Sequence, residues 1–102
     1  MSDMKSLASL LPDLMKQWGL EEGARGWRAV TDWPLVAGER IARHARATSF
    51  RDGELTVEVE GSAWMHELAF LKRELVRNLN RHLGDDVIRD VRLVPARGGN
   101  LR

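Results

Sequence analysis

A two-layer α+β domain with element order α-α-β-β-α-β is the fold class this sequence predicts. Three observations carry the prediction. Asp52-Gly53 is a hairpin turn signal, and the residues after it, Glu54 to Glu60, alternate strictly between apolar and polar. Ser62 to Leu83 repeats apolar residues at helical spacing and stops at Gly84. Upstream, two more helical stripes precede the hairpin, and downstream Val87 to Val94 alternates as a further strand. Helices packed on one face of a small, mostly antiparallel three-stranded sheet satisfy all three.

Taken in order, Asp3 to Leu20 places Leu7, Leu10, Leu11, Leu14, Met15 and Trp18 on one stripe, with a break at Pro12 and a stop at Gly19. Glu22 to His44 is a second helical stretch whose inward residues are Trp27, Val30, Leu35, Val36, Ile41 and Ala45. Pro34 must lie at a kink or at the first position of a new helix, which Asp32 or Trp33 then caps. Gly38 marks a close backbone approach. The chain turns extended at Arg46 to Arg51, and Leu55, Val57 and Val59 face inward on the next strand. Ser62 is the predicted N-cap of the long helix, which turns Trp64, Leu68, Leu71, Leu75 and Leu79 to one side. Val91 and Leu93 point inward on the last strand. Residues 1–95 form one domain and 96–102 a loose basic tail.

Composition narrows the function. The 102 residues carry a net charge of +1 and no cysteine. Disulfides and thiolate chemistry are therefore excluded, and a cytoplasmic setting is expected. No apolar run at the N-terminus is long enough for a signal or a membrane span. Charge is uneven: residues 1–39 hold four Lys/Arg against six Asp/Glu, and the remainder holds twelve against nine. An anionic partner for the C-terminal two-thirds is permitted without being required.

Catalytic signals are thin. His44, His66 and His82 are far apart, and the two on the long helix are separated by about 20 Å along its axis. That excludes shared metal ligation, and all three read as solvated surface residues. No paired carboxylates or nucleophile elbow are present, and neither a cofactor nor a metal is expected. Gly23-Ala24-Arg25-Gly26 matches the Gly-x-x-Gly phosphate clamp of KH domains, but no apolar strand precedes it and Glu21-Glu22 would repel phosphate.

The cations carry more. Arg40, Arg43, His44, Arg46 and Arg51 run from the second helical stretch into the hairpin, while Lys72, Arg73, Arg77 and Arg81 share the long helix. Arg73, Arg77 and Arg81 repeat at i, i+4, i+8, about 6 Å apart along one face. Two readings stay open: a phosphate-tracking row with salt-sensitive binding, or a solvated face paired with Glu58, Glu67 and Glu74. Arg43, Arg46, Arg51, Lys72, Arg73 and Arg77 are the expected phosphate contacts. Of the four tryptophans, Trp33 and Trp64 are assigned to the core, and Trp18 and Trp27 flank the glycine-rich break.

One ordered set of residues goes further. Trp33-Pro34-Leu35-Val36-Ala37-Gly38 is followed by Ile41-Ala42, His44, then Asp52-Gly53-Glu54-Leu55-Thr56-Val57-Glu58-Val59, Ser62-Ala63-Trp64, Glu67-Leu68, Leu71 and Lys72. This set resembles the DciA family, bacterial proteins associated with loading of the replicative helicase DnaB. The resemblance implies a KH-like fold without a working Gly-x-x-Gly loop, because the region equivalent to Gly23–Gly26 is ordinary helix in the family. It further implies contact with single-stranded or forked DNA, weak and salt-dependent, and interaction with DnaB. Relatives often carry a long extension where this chain has the short tail after Pro95, so the resemblance bears on DNA binding more than on autonomous loading. A protein-interaction adaptor with no nucleic-acid binding, and a KH-like RNA-binding regulator, are the alternatives.

Overall fold

The computed structural model describes residues 20–97, with side chains from Gly23 onward. Apart from Leu20, the first predicted helix lies outside the described residues, and so do residues 98–102 of the predicted tail. The elements are α1 (Leu20–Thr31), α2 (Trp33–Ala37), α3 (Glu39–Ala42), β1 (Ala45–Arg51), β2 (Glu54–Val59), α4 (Ser62–Leu83) and β3 (Asp90–Pro95). The sheet order is β1-β2-β3, with β1–β2 antiparallel and β2–β3 parallel. The α+β arrangement matches the predicted order, with one antiparallel and one parallel pairing. The parallel pairing follows from α4: a 22-residue helix carries the chain back along the sheet before β3 begins.

The hairpin forms as its sequence dictates. Asp52 (φ 50°) and Gly53 (φ 82°) take the two positive-φ positions that a tight two-residue turn demands. The Gly53 carbonyl accepts from Arg89 N–H at 2.7 Å, which seats the start of β3 beside the turn. On β2, Leu55, Val57 and Val59 are buried, and on β1 so are Ala45 and Ala47. A bulge between Ala47 and Ser49 then shifts the register, so that Phe50 pairs with buried Leu55 instead of facing away from the core.

The second helical stretch divides into three. Thr31–Asp32 ends α1, Pro34 sits in the first turn of α2, and Gly38 (φ 92°) separates α2 from α3. A Cβ on Gly38 would meet nothing within 4 Å, so its positive φ, and not a close approach, explains the glycine. Close approach occurs instead at Gly26, where a Cβ would collide with the Phe50 ring. The helix α1 therefore packs through its small residues, Gly26 and Ala29. That phase turns Trp27 outward, 53% exposed, against its predicted inward place, and Leu35 is 74% exposed on α2.

Along α4, Leu68, Leu75, Leu79 and Leu83 are buried against the sheet, and Leu71 packs at the margin. The N-cap is Gly61 (φ 83°) with no side-chain cap bond, and Ser62 is the first helical residue, which corrects the predicted cap. Gly84 closes the helix in the left-handed conformation, as predicted. Beyond it Asn80 holds the connection to β3. Its Nδ2 donates to the Ile88 carbonyl at 2.8 Å, and its Oδ1 accepts from the N–H groups of Val87 (3.0 Å) and Ile88 (2.7 Å).

Candidate nucleic-acid interface

Gly23-Ala24-Arg25-Gly26 lies inside α1, so no phosphate-clamping loop exists there. At helical positions such as Ala24, Arg25 and Gly26 the N–H groups are committed to the preceding turn and cannot cradle an anion. Arg25 is instead engaged with Asp85 at 2.6 Å, joining α1 to the loop after α4.

The predicted cations separate into two groups that face different ways. Arg46 alternates with buried Ala45 and Ala47, so it projects from the open face of the sheet, level with Glu58 on β2. Arg92 stands on that face too, in register with Thr56. Arg73, Arg77 and Arg81 project from the side of α4 opposite Leu68, Leu75 and Leu79, and thus away from the sheet, whereas Lys72, one turn after buried Leu68, lies on the inward half of the helix and is half-buried. Arg51 stands fully exposed at the hairpin, and Arg43 lies at the end of α3.

The two groups differ in pairing as well as in place. Arg40 meets Glu67 at 2.9 Å, Arg43 meets Glu39 at 2.9 Å, Arg46 approaches Glu58 at 3.7 Å and Arg51 approaches Asp52 at 3.8 Å. The pairs of Arg40, Arg43 and Arg51 are exposed and worth at most about 1 kcal/mol each, readily exchanged for a phosphate, while Arg46 is exposed against a largely covered Glu58. By contrast, the side chains of Lys72, Arg73, Arg77 and Arg81 have no hydrogen-bond or ion-pair partner among the described residues. Glu58 and Glu67 serve the first group, and Glu74 is not engaged by any α4 cation. Arg77 and Arg81 border an open notch of about 490 Å³ with Asn80, Gly84, Asp85 and Asp86, where acidic residues limit the positive stretch. Lys72 and Arg73 line a smaller notch with Val76, Arg89 and Asp90.

Two histidines are not the solvated residues the sequence suggests. His44 stacks on Trp64 with ring centroids 4.6 Å apart, and its Nδ1 lies 3.2 Å from Glu60 Oε1. The Arg40 guanidinium also lies over the Trp64 ring, 5.1 Å from its centroid. Trp64 is therefore a half-buried joint between α3 and α4 and not the core residue predicted from its helical face. His82 Nε2 lies 2.9 Å from Asp32 Oδ2 and ties the end of α4 to the α1–α2 corner. Neither pairing had a sequence signal, since the partners are 16 and 50 residues apart. Among the described residues no group of His, Cys, Asp and Glu could hold a metal ion, and no helix is long and apolar enough to cross a membrane.

The chain is similar to a UPF0232 protein of Mycobacterium tuberculosis, 30% identical over 91 residues, covering 89% of this chain and 49% of that protein. A UPF0232 protein of Mycolicibacterium smegmatis is 29% identical over 100 residues, covering 98% of this chain and 52% of that protein. One from Rhodococcus jostii is 30% identical over 91 residues, covering 89% and 48%. The chain thus spans about half the length of the curated relatives it matches. The family model described as Dna[CI] antecedent, DciA, matches residues 6–93. The chain belongs to the DciA family.

Proposed function

We propose that this chain acts in DNA replication as a helicase-loader module, without catalysis of its own, binding both DNA and the replicative helicase DnaB. The observation that carries the reading is the family match across residues 6–93. The DNA half draws support from Arg73, Arg77 and Arg81, which share the outer face of α4 and have no partner among the described residues. A row of this kind displaces counterions from phosphates, which makes binding salt-sensitive and indifferent to sequence. The test is fluorescence anisotropy with forked and single-stranded DNA across a salt series, together with capture of purified DnaB. Affinity should fall steeply with salt, and absence of binding at low salt would sink the DNA half.

A second reading, that of a protein adaptor, is favoured by one observation. The two arginine groups face different sides of the domain, whereas a single polyanion would be served best by one continuous surface. If DnaB capture survives nuclease treatment and the joint change of Arg73 and Arg77 to Glu, the adaptor reading prevails.

A further inference from the structure

The most exposed large apolar side chain among the described residues is Phe70, 83% exposed on α4. Its place on the helix is informative. At 100° per residue, His66, Phe70, Arg73, Arg77 and Arg81 fall on one stripe, on the side opposite buried Leu68, Leu75 and Leu79. The aromatic ring is thus one end of the same row whose other members are the unengaged arginines, and Phe70 to Arg81 spans about 16 Å. His66 rests beside the ring, with centroids 6.0 Å apart and planes 28° from parallel.

We infer that this stripe is a binding track for single-stranded nucleic acid, in which Phe70 stacks an unpaired base while Arg73, Arg77 and Arg81 follow the phosphates. The inference rests on the DNA-binding reading and deepens it by naming the surface that holds the strand and the residue that selects the unpaired form. The physical argument is the pairing of two chemistries. Cations alone hold any polyanion, duplex included. An exposed ring beside them adds a surface that only an unpaired base can cover, because bases in a duplex already stack on each other. An acidic protein surface would complement the arginines equally but would leave the ring exposed in a polar setting: its neighbours one turn away are His66, Glu67, Arg73 and Glu74.

The test uses the full chain with a fluorescent oligothymidine strand and a duplex of equal length. The expected result is that Phe70→Ala weakens single-strand binding by about tenfold and leaves duplex binding unchanged, because one base–aromatic stack is removed. Phe70→Trp should restore the affinity, and Phe70→Leu, which keeps an apolar side chain without a π-face, should not. Arg73→Glu with Arg77→Glu should weaken both forms. Equal single-strand affinity in Phe70→Ala, with the arginines still required, overturns the stacking role while leaving DNA binding intact. Loss of DnaB capture by Phe70→Ala at unchanged DNA affinity overturns it in favour of a protein contact. Failure of the unaltered chain to bind either form defeats the underlying DNA reading itself.

Discussion

Trp33 Nε1 donates a 2.9 Å hydrogen bond to the main-chain carbonyl of Ala45, joining the first residue of α2 to the first residue of the edge strand. The indole is 1% exposed and fills the space where α1, α2 and β1 meet. One side chain thereby supplies apolar burial and satisfies a carbonyl that no neighbouring strand reaches. Trp33→Phe should destabilise the domain by about 1–3 kcal/mol through the unsatisfied carbonyl and the reduced volume. Trp33→Ala should cost about 3–5 kcal/mol. Urea unfolding followed by circular dichroism measures both.

The two glycines of the Gly-x-x-Gly sequence should respond with opposite signs. Gly23→Ala adds a methyl into open space within a helix and should stabilise by about 0.5–1 kcal/mol. Gly26→Ala forces a carbon into the Phe50 ring and should destabilise by about 1–3 kcal/mol, with partial recovery when Phe50 is changed to Leu. Neither change should alter DNA affinity in the folded protein, since the segment is helix and not an open loop. A large affinity loss in folded Gly23→Ala would mean that the segment serves as a clamp after all.

Asn80 secures the passage from α4 to β3 with three side-chain hydrogen bonds. Asn80→Ala removes all three and strands two N–H groups, at a cost of about 2–4 kcal/mol. Asn80→Asp keeps the acceptor for Val87 and Ile88 and loses only the donor to the Ile88 carbonyl, so it should cost less. Thermal melts of the two variants should rank them in that order, and equal melting points would show that the loop is held by other interactions.

Charge reversal should separate the two arginine groups. Changing Arg73 and Arg77 to Glu should lower the salt dependence of single-strand binding by about 0.7 in log–log slope for each phosphate that is no longer neutralised. Changing Arg43 and Arg46 to Glu should act less, because those side chains must first leave Glu39 and Glu58. Stability should move by under about 1 kcal/mol in either pair, as exposed ion pairs contribute little. Salt titrations by anisotropy distinguish the pairs, and an equal loss from both would place phosphate on both faces.

The elements that were legible in the sequence are those specified by neighbours along the chain. The Asp52-Gly53 turn, the alternation of β2, the span of α4 and its stop at Gly84 depend on periodicity and local backbone preference, and they appear where the sequence places them. The phase of α1 does not follow from local signals. Trp27 satisfies the apolar pattern as well as Ala29 does, and only the close packing of Gly26 on Phe50 decides which of them turns inward. Phe50 itself faces the core only because of the bulge at Ala47/Ser49, a register shift that the strand sequence does not announce.

The same division holds for the candidate site. The sequence by itself determined which cations exist, that Arg73, Arg77 and Arg81 share a helical face, and the ordered pattern that marks the family. Those properties follow from spacing and from a 3.6-residue turn. Only the tertiary structure decided that Arg46 is met by Glu58 on the sheet face and that Arg40 reaches Glu67 and the Trp64 ring on α4. It also decided that His44 and His82 are tied to partners and that Phe70 is left uncovered at the head of the cation row. Pairing and exposure depend on which distant surfaces meet, and a chain written in one dimension does not carry that distance.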